Sequence, residues 1–553
     1  MFERPLANAA LLAGSLPAVL GLRRALRDPA RAQADVLRGL LAANAGAAYG
    51  RAHGLAAART VRDFQDALPV VRHEDLAPWI ARAMDGESDV LTSEPVLLFE
   101  TTSGSTGAVK HIPYTASLQR EFRRAVGAWL GEAALGDPGL LRGPSYWSVT
   151  PLARAPGRTK GGIPVGFASD ADVLGGWVGR LLERRLAVPS AVSLSGDLET
   201  ALYASLRFLL QEPGLSFASV WNPSFLTLLL ERLEVHGERL LADLAAGTLR
   251  PPRALPPIAA AALTPRLRAM PARARSLRPA LARRAWDEVW PALRAISCWT
   301  DASAKDAVPA LSAAFPRAAI QGKGLLATEG VVTIPLPAYG GCVPALQSHF
   351  LEFRAWDGAA ASGGRPLLAH ELEAGREYDV LLTTGGGLWR CALGDVVRVD
   401  AVRGGVPVLE FIGRGAAASD LRGEKLSAAF VGPVLRRLRE AGRWDGQFGM
   451  LAPLAGEPPS YCLFIEGRAA AGLADALDDA LRANPHYDYC RRLGQLAAPS
   501  VFLARGAHET YLARCGEAGT RAGAVKPAAL DGRPGWDRRF AGGFVQSPQK
   551  VPA

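Results

Sequence analysis

Ten consecutive residues, Thr101-Thr102-Ser103-Gly104-Ser105-Thr106-Gly107-Ala108-Val109-Lys110, gather hydroxyls, glycines and one lysine behind a short apolar run, Val96-Leu97-Leu98-Phe99. Glycine lets successive backbone N–H groups turn toward one anion at little steric cost. Hydroxyls add short donors, and an ammonium supplies a mobile point charge for phosphate. The segment reads as a strand followed by a loop that grips a polyphosphate. Its lysine falls three residues after the last glycine, so it is not the Gly-x-x-x-x-Gly-Lys-Ser/Thr loop. A flexible surface loop is the competing reading of these ten residues alone.

Three later segments carry matching chemistry. In Gly324-Leu325-Leu326-Ala327-Thr328-Glu329-Gly330, Glu329 offers a carboxylate for magnesium and Thr328 a hydroxyl for a phosphate oxygen. In Gly385-Gly386-Gly387-Leu388-Trp389-Arg390-Cys391-Ala392-Leu393-Gly394-Asp395, the aspartate suits a ribose diol, because a carboxylate accepts from both hydroxyls. Its plainer reading is a β-turn aspartate. In Phe411-Ile412-Gly413-Arg414, the arginine stands where it could meet a nucleotide; a solvated loop arginine is the alternative.

The elements that must position these groups follow from the rest of the chain. At 553 residues it exceeds the size of one core, so at least two domains are expected. Strand-like runs (Tyr146 to Val149, Phe217 to Trp221, Ala295 to Trp299, Val331 to Ile334, Tyr378 to Thr383, Val408 to Ile412) alternate with helical stretches such as Phe225 to Leu244 and Leu263 to Trp290. That alternation predicts an α/β fold after a mainly helical stretch over residues 1–95. From Gly413 the texture turns small, polar and glycine-rich, then gives a shorter α+β pattern with a helix from Ala428 to Glu440. The expectation is a large domain over 1–415, a hinge over 416–425 and a small mobile domain over 426–553.

Composition narrows the function. The net charge of +10 comes from arginines spread along the whole length, without a nucleic-acid-binding motif, so no nucleic-acid partner is expected. Lysine is rare: only Lys110, Lys160, Lys305, Lys323, Lys425, Lys526 and Lys550 occur, which favours placing lysine where a compact ammonium is needed. The six cysteines, Cys298, Cys342, Cys391, Cys462, Cys490 and Cys515, form no metal spacing and read as reduced thiols of a cytoplasmic protein. Leu6 to Gly21 is apolar but too short to span a bilayer, and reads as a packed helix rather than a stable membrane insertion.

Taken in order, the four segments resemble the adenylate-forming superfamily that includes firefly luciferase and acyl-CoA ligases. The auxin-responsive-promoter family, whose plant members are acyl-acid amido synthetases, fits best. The likeness runs through Leu68-Pro69-Val70, Asp89 to Pro95, Val220-Trp221-Asn222-Pro223-Ser224-Phe225, Gly387 to Asp395, Gly423-Glu424-Lys425-Leu426-Ser427, Asn484 to Tyr487 and Gly519 to Pro527. The resemblance implies ATP and Mg2+, with a carboxylic acid and an amine, an amino acid, as the other substrates. It implies that Thr102, Ser103, Gly104, Ser105, Thr106, Gly107 and Lys110 hold the β/γ-phosphates. It also implies Thr328 and Glu329 at phosphate and magnesium, Asp395 at the ribose, Arg414 near the nucleotide, and Lys526 brought to the α-phosphate. Three positions depart from the family. Leu325 replaces an aromatic residue, Ala392 replaces a second arginine, and Ala524-Val525-Lys526-Pro527-Ala528 replaces Gln-Tyr-Lys-x-Pro-Arg. An acyl-CoA ligase with a thiol acceptor and a nucleotide-binding protein without turnover are the alternatives.

Overall fold

Five α-helices precede the first strand: α1 (Glu3–Arg27), α2 (Pro29–Asn44), α3 (Ala48–Ala52), α4 (Val61–Ala67) and α5 (His73–Met84). The computed structural model describes residues 3–103, 109–149, 157–167, 175–356, 361, 363–414, 418–419, 421–422, 424, 426–517 and 528–545. Among these residues no helix is long and apolar enough to cross a membrane.

The chain then forms a hairpin of β1 (Leu98–Ser103) and β2 (Val109–Tyr114), with Thr102 opposite Lys110 and Ser103 opposite Val109. This corrects the ten-residue loop read from sequence. Thr101, Thr102, Ser103, Val109 and Lys110 are strand residues, because β-branched threonine and valine suit a pleated ladder as well as they suit a polar loop. Gly104, Ser105, Thr106 and Gly107 lie outside the described residues. β4 (Gly157–Arg158) and β5 (Pro164–Val165) complete a sheet of order β2-β1-β5-β4.

Thr115 caps the next helix, α6 (Ala116–Gly136), by accepting the Leu118 N–H. Leu118, Phe122, Ala125 and Trp129 recur at helical spacing and bury one face of it. Four short parallel strands follow, β3 (Ser145–Trp147), β6 (Phe217–Ser219), β7 (Ala295–Cys298) and β8 (Ala319–Gly322), in that spatial order. Asn222 caps the helix Pro223–Ala246 between two of them. The arginine-rich stretch read as helical is broken into Pro271–Ala282 and Trp286–Val289: Pro271 fits only a first turn, and Arg284 takes φ +56° between the two.

Where one strand was expected from Val331 to Ile334 there are two. β9 (Leu326–Ala327) and β10 (Gly330–Val331) make a tight hairpin with Thr328 and Glu329 at its tip, and β11 (Thr333–Leu336) begins a new sheet. That antiparallel sheet adds β12 (Gly341–Pro344), β13 (Phe350–Ala355), β14 (Glu377–Thr383), β15 (Cys391–Arg403) and β16 (Val406–Arg414), in the order β11-β12-β16-β15-β14-β13.

The C-terminal part is smaller. A ladder of β17 (Ala418–Ser419) and β18 (Leu426–Ser427) leads into a helix over Ala428–Glu440, as the sequence predicts. Its sheet runs β19 (Gly449–Leu454), β20 (Ser460–Ile465), β21 (Ser500–Arg505), β22 (Ala541–Phe544). In β20, Tyr461, Leu463 and Ile465 join one core and Cys462 and Phe464 the other, so the sheet is covered on both faces. Of the segment read as a hinge, the described members hold to this part. The buried Glu424 carboxylate accepts the Leu421 and Arg422 N–H groups at 2.7 and 2.8 Å, and the Tyr461 hydroxyl. The fold is therefore mixed α/β, a large N-terminal part and a smaller C-terminal one.

Candidate active site

The Thr328–Glu329 turn is held from two sides. Tyr114, the last residue of β2, donates its hydroxyl to the Thr328 carbonyl at 2.6 Å. The Val331 N–H donates to His349 Nε2 at 3.0 Å, and His349 Nδ1 lies 2.9 Å from Glu121 Oε2 on α6. An Nε2 that accepts is unprotonated, so Nδ1 carries the proton and donates it to the carboxylate. Glu121 also accepts the Gly385 N–H at 2.9 and 3.1 Å, while the Thr115 hydroxyl donates to the Gly385 carbonyl at 2.8 Å. Glu121 and His349 are both buried.

The charges of Lys110 and Glu329 are both felt at Cys391, the first residue of β15. Burial pushes the Cys391 thiol up to about 12, with Glu329 adding to the effect and Lys110 opposing it. The half-buried Lys110 places Nζ 3.5 Å from Glu74 Oε1. Burial of Glu74 works against its ionisation, yet a backbone N–H and the Lys110 ammonium together hold its carboxyl below the ordinary value. Among the described residues no hydrogen bond or ion pair takes up the Glu329 carboxylate.

Asp395 stands four residues further along β15, at most about 13 Å away at strand rise. It sits in a bulge. Asp379 pairs with Val396 and Leu381 with Ala392, so three residues of β15 face Val380 alone, and Gly394 takes φ +74°. The turn considered for Gly394-Asp395 is thus a strand irregularity. The bulge sets Asp395 directly opposite Arg414 on β16, so two residues singled out separately are cross-strand neighbours, and Arg414 is a strand residue rather than a loop one. Asp395 is buried and adds to the upward push that burial gives the Asp379 carboxyl, against the Arg354 guanidinium, whose Nη2 lies 2.5 Å and Nε 3.1 Å from Asp379 Oδ2.

The Gly385–Arg390 stretch serves packing. A Cβ on Gly385 would meet Ser117 Oγ at 2.5 Å, and one on Gly386 the Pro113 carbonyl at 2.6 Å. The Trp389 indole donates to the Leu91 carbonyl at 3.0 Å. Arg390, at φ +46°, donates to both Glu352 oxygens at 3.0 and 2.9 Å and to the carbonyls of Gln65 and Leu68.

Two groups escaped the sequence reading. Glu121 and His349 are far apart in the chain and carried no local signal. Lys323 was noted only for its rarity. It follows β8, donates to Ser219 Oγ at 2.7 Å, and stands 4.7 Å over the Trp221 ring and 5.4 Å over Trp129. Trp147, Trp221, Trp299 and Lys323 come from the carboxyl ends of β3, β6, β7 and β8, the rim where ligands settle in open α/β sheets. A scarce lysine immediately after a strand was the available signal. Lys526 lies outside the described residues, and of Thr102, Ser103 and Arg414 only the backbone is described.

Residues 20–320 match the GH3 family N-terminal domain, and residues 342–414 match the GH3 family central domain. The chain belongs to the GH3 family. A probable indole-3-acetic acid-amido synthetase, GH3.12 of Oryza sativa subsp. japonica, is 27% identical over 564 residues, covering 91% of each chain. A GH3 domain-containing protein of Homo sapiens is 29% identical over 322 residues, 54% of this chain and 57% of that one. The solved GH3.15 acyl acid amido synthetase shares the fold, with a TM-score of 0.80 at 17% identity over 97% of this chain and 98% of that one. The resemblance read from the four segments is the same family. This GH3 protein is accordingly an adenylate-forming ligase that makes an amide.

Proposed function

We propose that this GH3 protein activates a small carboxylic acid with ATP and Mg2+ and passes the acyl group to the amine of an amino acid. The observation that carries this is the bond from Tyr114, on the strand of Lys110, to the Thr328 carbonyl at 2.6 Å, with Asp395 on β15 in register with Arg414 on β16.

The side chains suit those ligands. Lys110 has a half-exposed carboxylate as its ion-pair partner, and Glu329 sits at the tip of a two-residue turn. Mg2+ takes one or two protein carboxylates and fills its shell with phosphate oxygens and water, so the absence of a three-ligand cluster among the described residues is compatible with it. When bound, the ion would neutralise charge on the departing phosphates. Lys110 and the N–H groups from Thr102 through Ser103, Gly104, Ser105, Thr106 and Gly107 would cradle the β/γ-phosphates. Thr328 would donate its hydroxyl to a phosphate oxygen, Asp395 would accept from the ribose, Arg414 would face the nucleotide and Lys526 the α-phosphate. The Trp221–Lys323 rim would receive the acyl part.

A carboxylate oxygen attacks the α-phosphorus, and the bond to the bridging oxygen breaks to release pyrophosphate. The amine nitrogen then attacks the acyl carbon, AMP leaves with its oxygen, and the surplus proton passes to water. Charge changes mainly on phosphate oxygens, so fixed cations and N–H groups provide most of the catalysis. Between the halves a domain over 426–553 would reposition about 416–425 against a domain over 1–415. Six free cysteines without a disulfide suit the cytoplasm.

Pyrophosphate release from ATP with a panel of carboxylic acids tests the first half; no release with any acid would leave a nucleotide binder. Adding amino acids against coenzyme A tests the second, and a thioester product would overturn the amide. Lys526→Ala should depress pyrophosphate release while sparing amide formation from a supplied acyl-adenylate.

A further inference from the structure

We propose that His349 is a positioning residue for the first half-reaction, fixing the Thr328–Glu329 turn through the Val331 N–H while Glu121 sets the tautomer and orientation of its ring; this rests on the reading of that turn as a phosphate and magnesium site. A hairpin with two ladder pairs is too short to hold its own shape. The Leu325 carbonyl closes its base by accepting the Val332 and Thr333 N–H groups, Tyr114 holds its tip, and the imidazole fixes β10 at Val331, which Gly330 admits: a Cβ there would meet Leu382 Cδ2 at 2.8 Å and His349 Nε2 at 3.1 Å.

The same Glu121 carboxylate takes the Gly385 N–H, whose residue opens the loop into β15 and so toward Asp395. Tyr114, Thr115 and Glu121 are eight residues of chain from first to last, and between them they hold the Thr328 carbonyl, the Gly385 carbonyl, the Gly385 N–H and His349. The strand that carries Lys110 runs straight into that stretch. One anchor thus sets the spacing of the three segments that bear Lys110, Glu329 and Asp395. A hydrophobic pair could fill the same volume, but it would strand the Gly385 N–H that Glu121 accepts. It would equally lack an acceptor aimed at the Val331 N–H, the one that bears on the turn.

Two substitutions separate the halves of the device. Glutamine reaches to the position of Nε2 and keeps an acceptor for Val331; asparagine reaches only to Nδ1 and keeps the Glu121 contact. In the protein without substrates, His349→Asn should speed amide exchange across residues 326–331 by about tenfold, the effect of one lost hydrogen bond, while His349→Gln stays near wild type. In the pyrophosphate assay, His349→Asn should lower kcat about tenfold and raise the Mg2+ needed for half-maximal rate, with KM for the acid unchanged. His349→Gln should keep both. Equal losses in the two variants, or wild-type exchange and kcat in His349→Asn, would overturn the proposal. Should His349→Asn not fold, a folded His349→Gln that has lost pyrophosphate release overturns it and one that retains release supports it. Glu329→Gln reads the underlying assignment separately. If it leaves the Mg2+ dependence untouched, the metal reading of the turn fails, while exchange at Val331 still judges the anchor.

Discussion

Arg390 and Lys110 are two cations on motif-bearing stretches, and the protein treats them in opposite ways. Arg390 is saturated from within: both Glu352 oxygens and two backbone carbonyls, Gln65 and Leu68, take its N–H groups, and Phe64 lies under it. Among the described residues Lys110 has a single carboxylate partner, Glu74 at 3.5 Å, and that carboxylate is itself half exposed. The first arrangement completes a fold across the helical N-terminus and the sheet. The second leaves a charge with capacity for a ligand. Arg390 is the more buried of the two, and the number of protein partners separates them further.

The comparison breaks most visibly on Arg390. Arg390→Ala strands the Glu352 carboxylate in the core, and losing one member of such a pair costs about 3–5 kcal/mol. Denaturant titration should show that loss, with activity disappearing only as the fold does. Lys110→Ala should do the reverse. Removing a charge-assisted phosphate contact of about 1.5–3 kcal/mol should weaken ATP binding, read by calorimetry, while the melting temperature hardly moves. Unchanged nucleotide affinity would put Lys110 on Arg390's side of the comparison.

Asp395 tests a smaller difference. Asp395→Ala should erase most of the preference for ATP over a 2′,3′-dideoxy analogue in competition binding. A wild-type protein without that preference would make Asp395 a bulge residue only. The smallest effect belongs to Asp301, whose carboxyl burial pushes upward against the steadying Phe411 N–H. A carboxyl raised in the folded state contributes stability that is complete below its unfolded pKa of about 3.9 and is lost as pH rises through the folded value. Asp301→Asn suffers no such loss. Relative to wild type it should therefore be more stable at pH 7 than at pH 4, by denaturant titration at both.

Sequence order brought the candidate residues into view more readily than the strands that carry them. The Gly/Ser/Thr run, the Thr328-Glu329 pair and the Gly394-Asp395 pair were each readable because their chemistry is local. The hairpin around Lys110 was not, since threonine serves a polar loop and a ladder equally well. Nor was the pairing of Asp395 with Arg414, which depends on a bulge that shifts register and leaves no mark in composition. In the C-terminal part the amphipathic helix Ala428–Glu440 stood out from its spacing, whereas β19 was missed because Gly449 and Pro453 read as breakers. Glu121 and His349 show the general limit. A contact between residues 228 apart is decided by packing, and neither neighbour in sequence announces it.

The rim at the carboxyl ends of β3, β6, β7 and β8 also gives the protein an optical property. Trp147, Trp221 and Trp299 stand there with Trp129 facing them from α6, so four of the twelve indoles of the chain share one small neighbourhood with the Lys323 ammonium. Indole emission shifts with local field and with exclusion of water. A third of the chain's emitters therefore share one sheet rim, and a ligand settling there would be read in the intrinsic fluorescence of the unlabelled molecule.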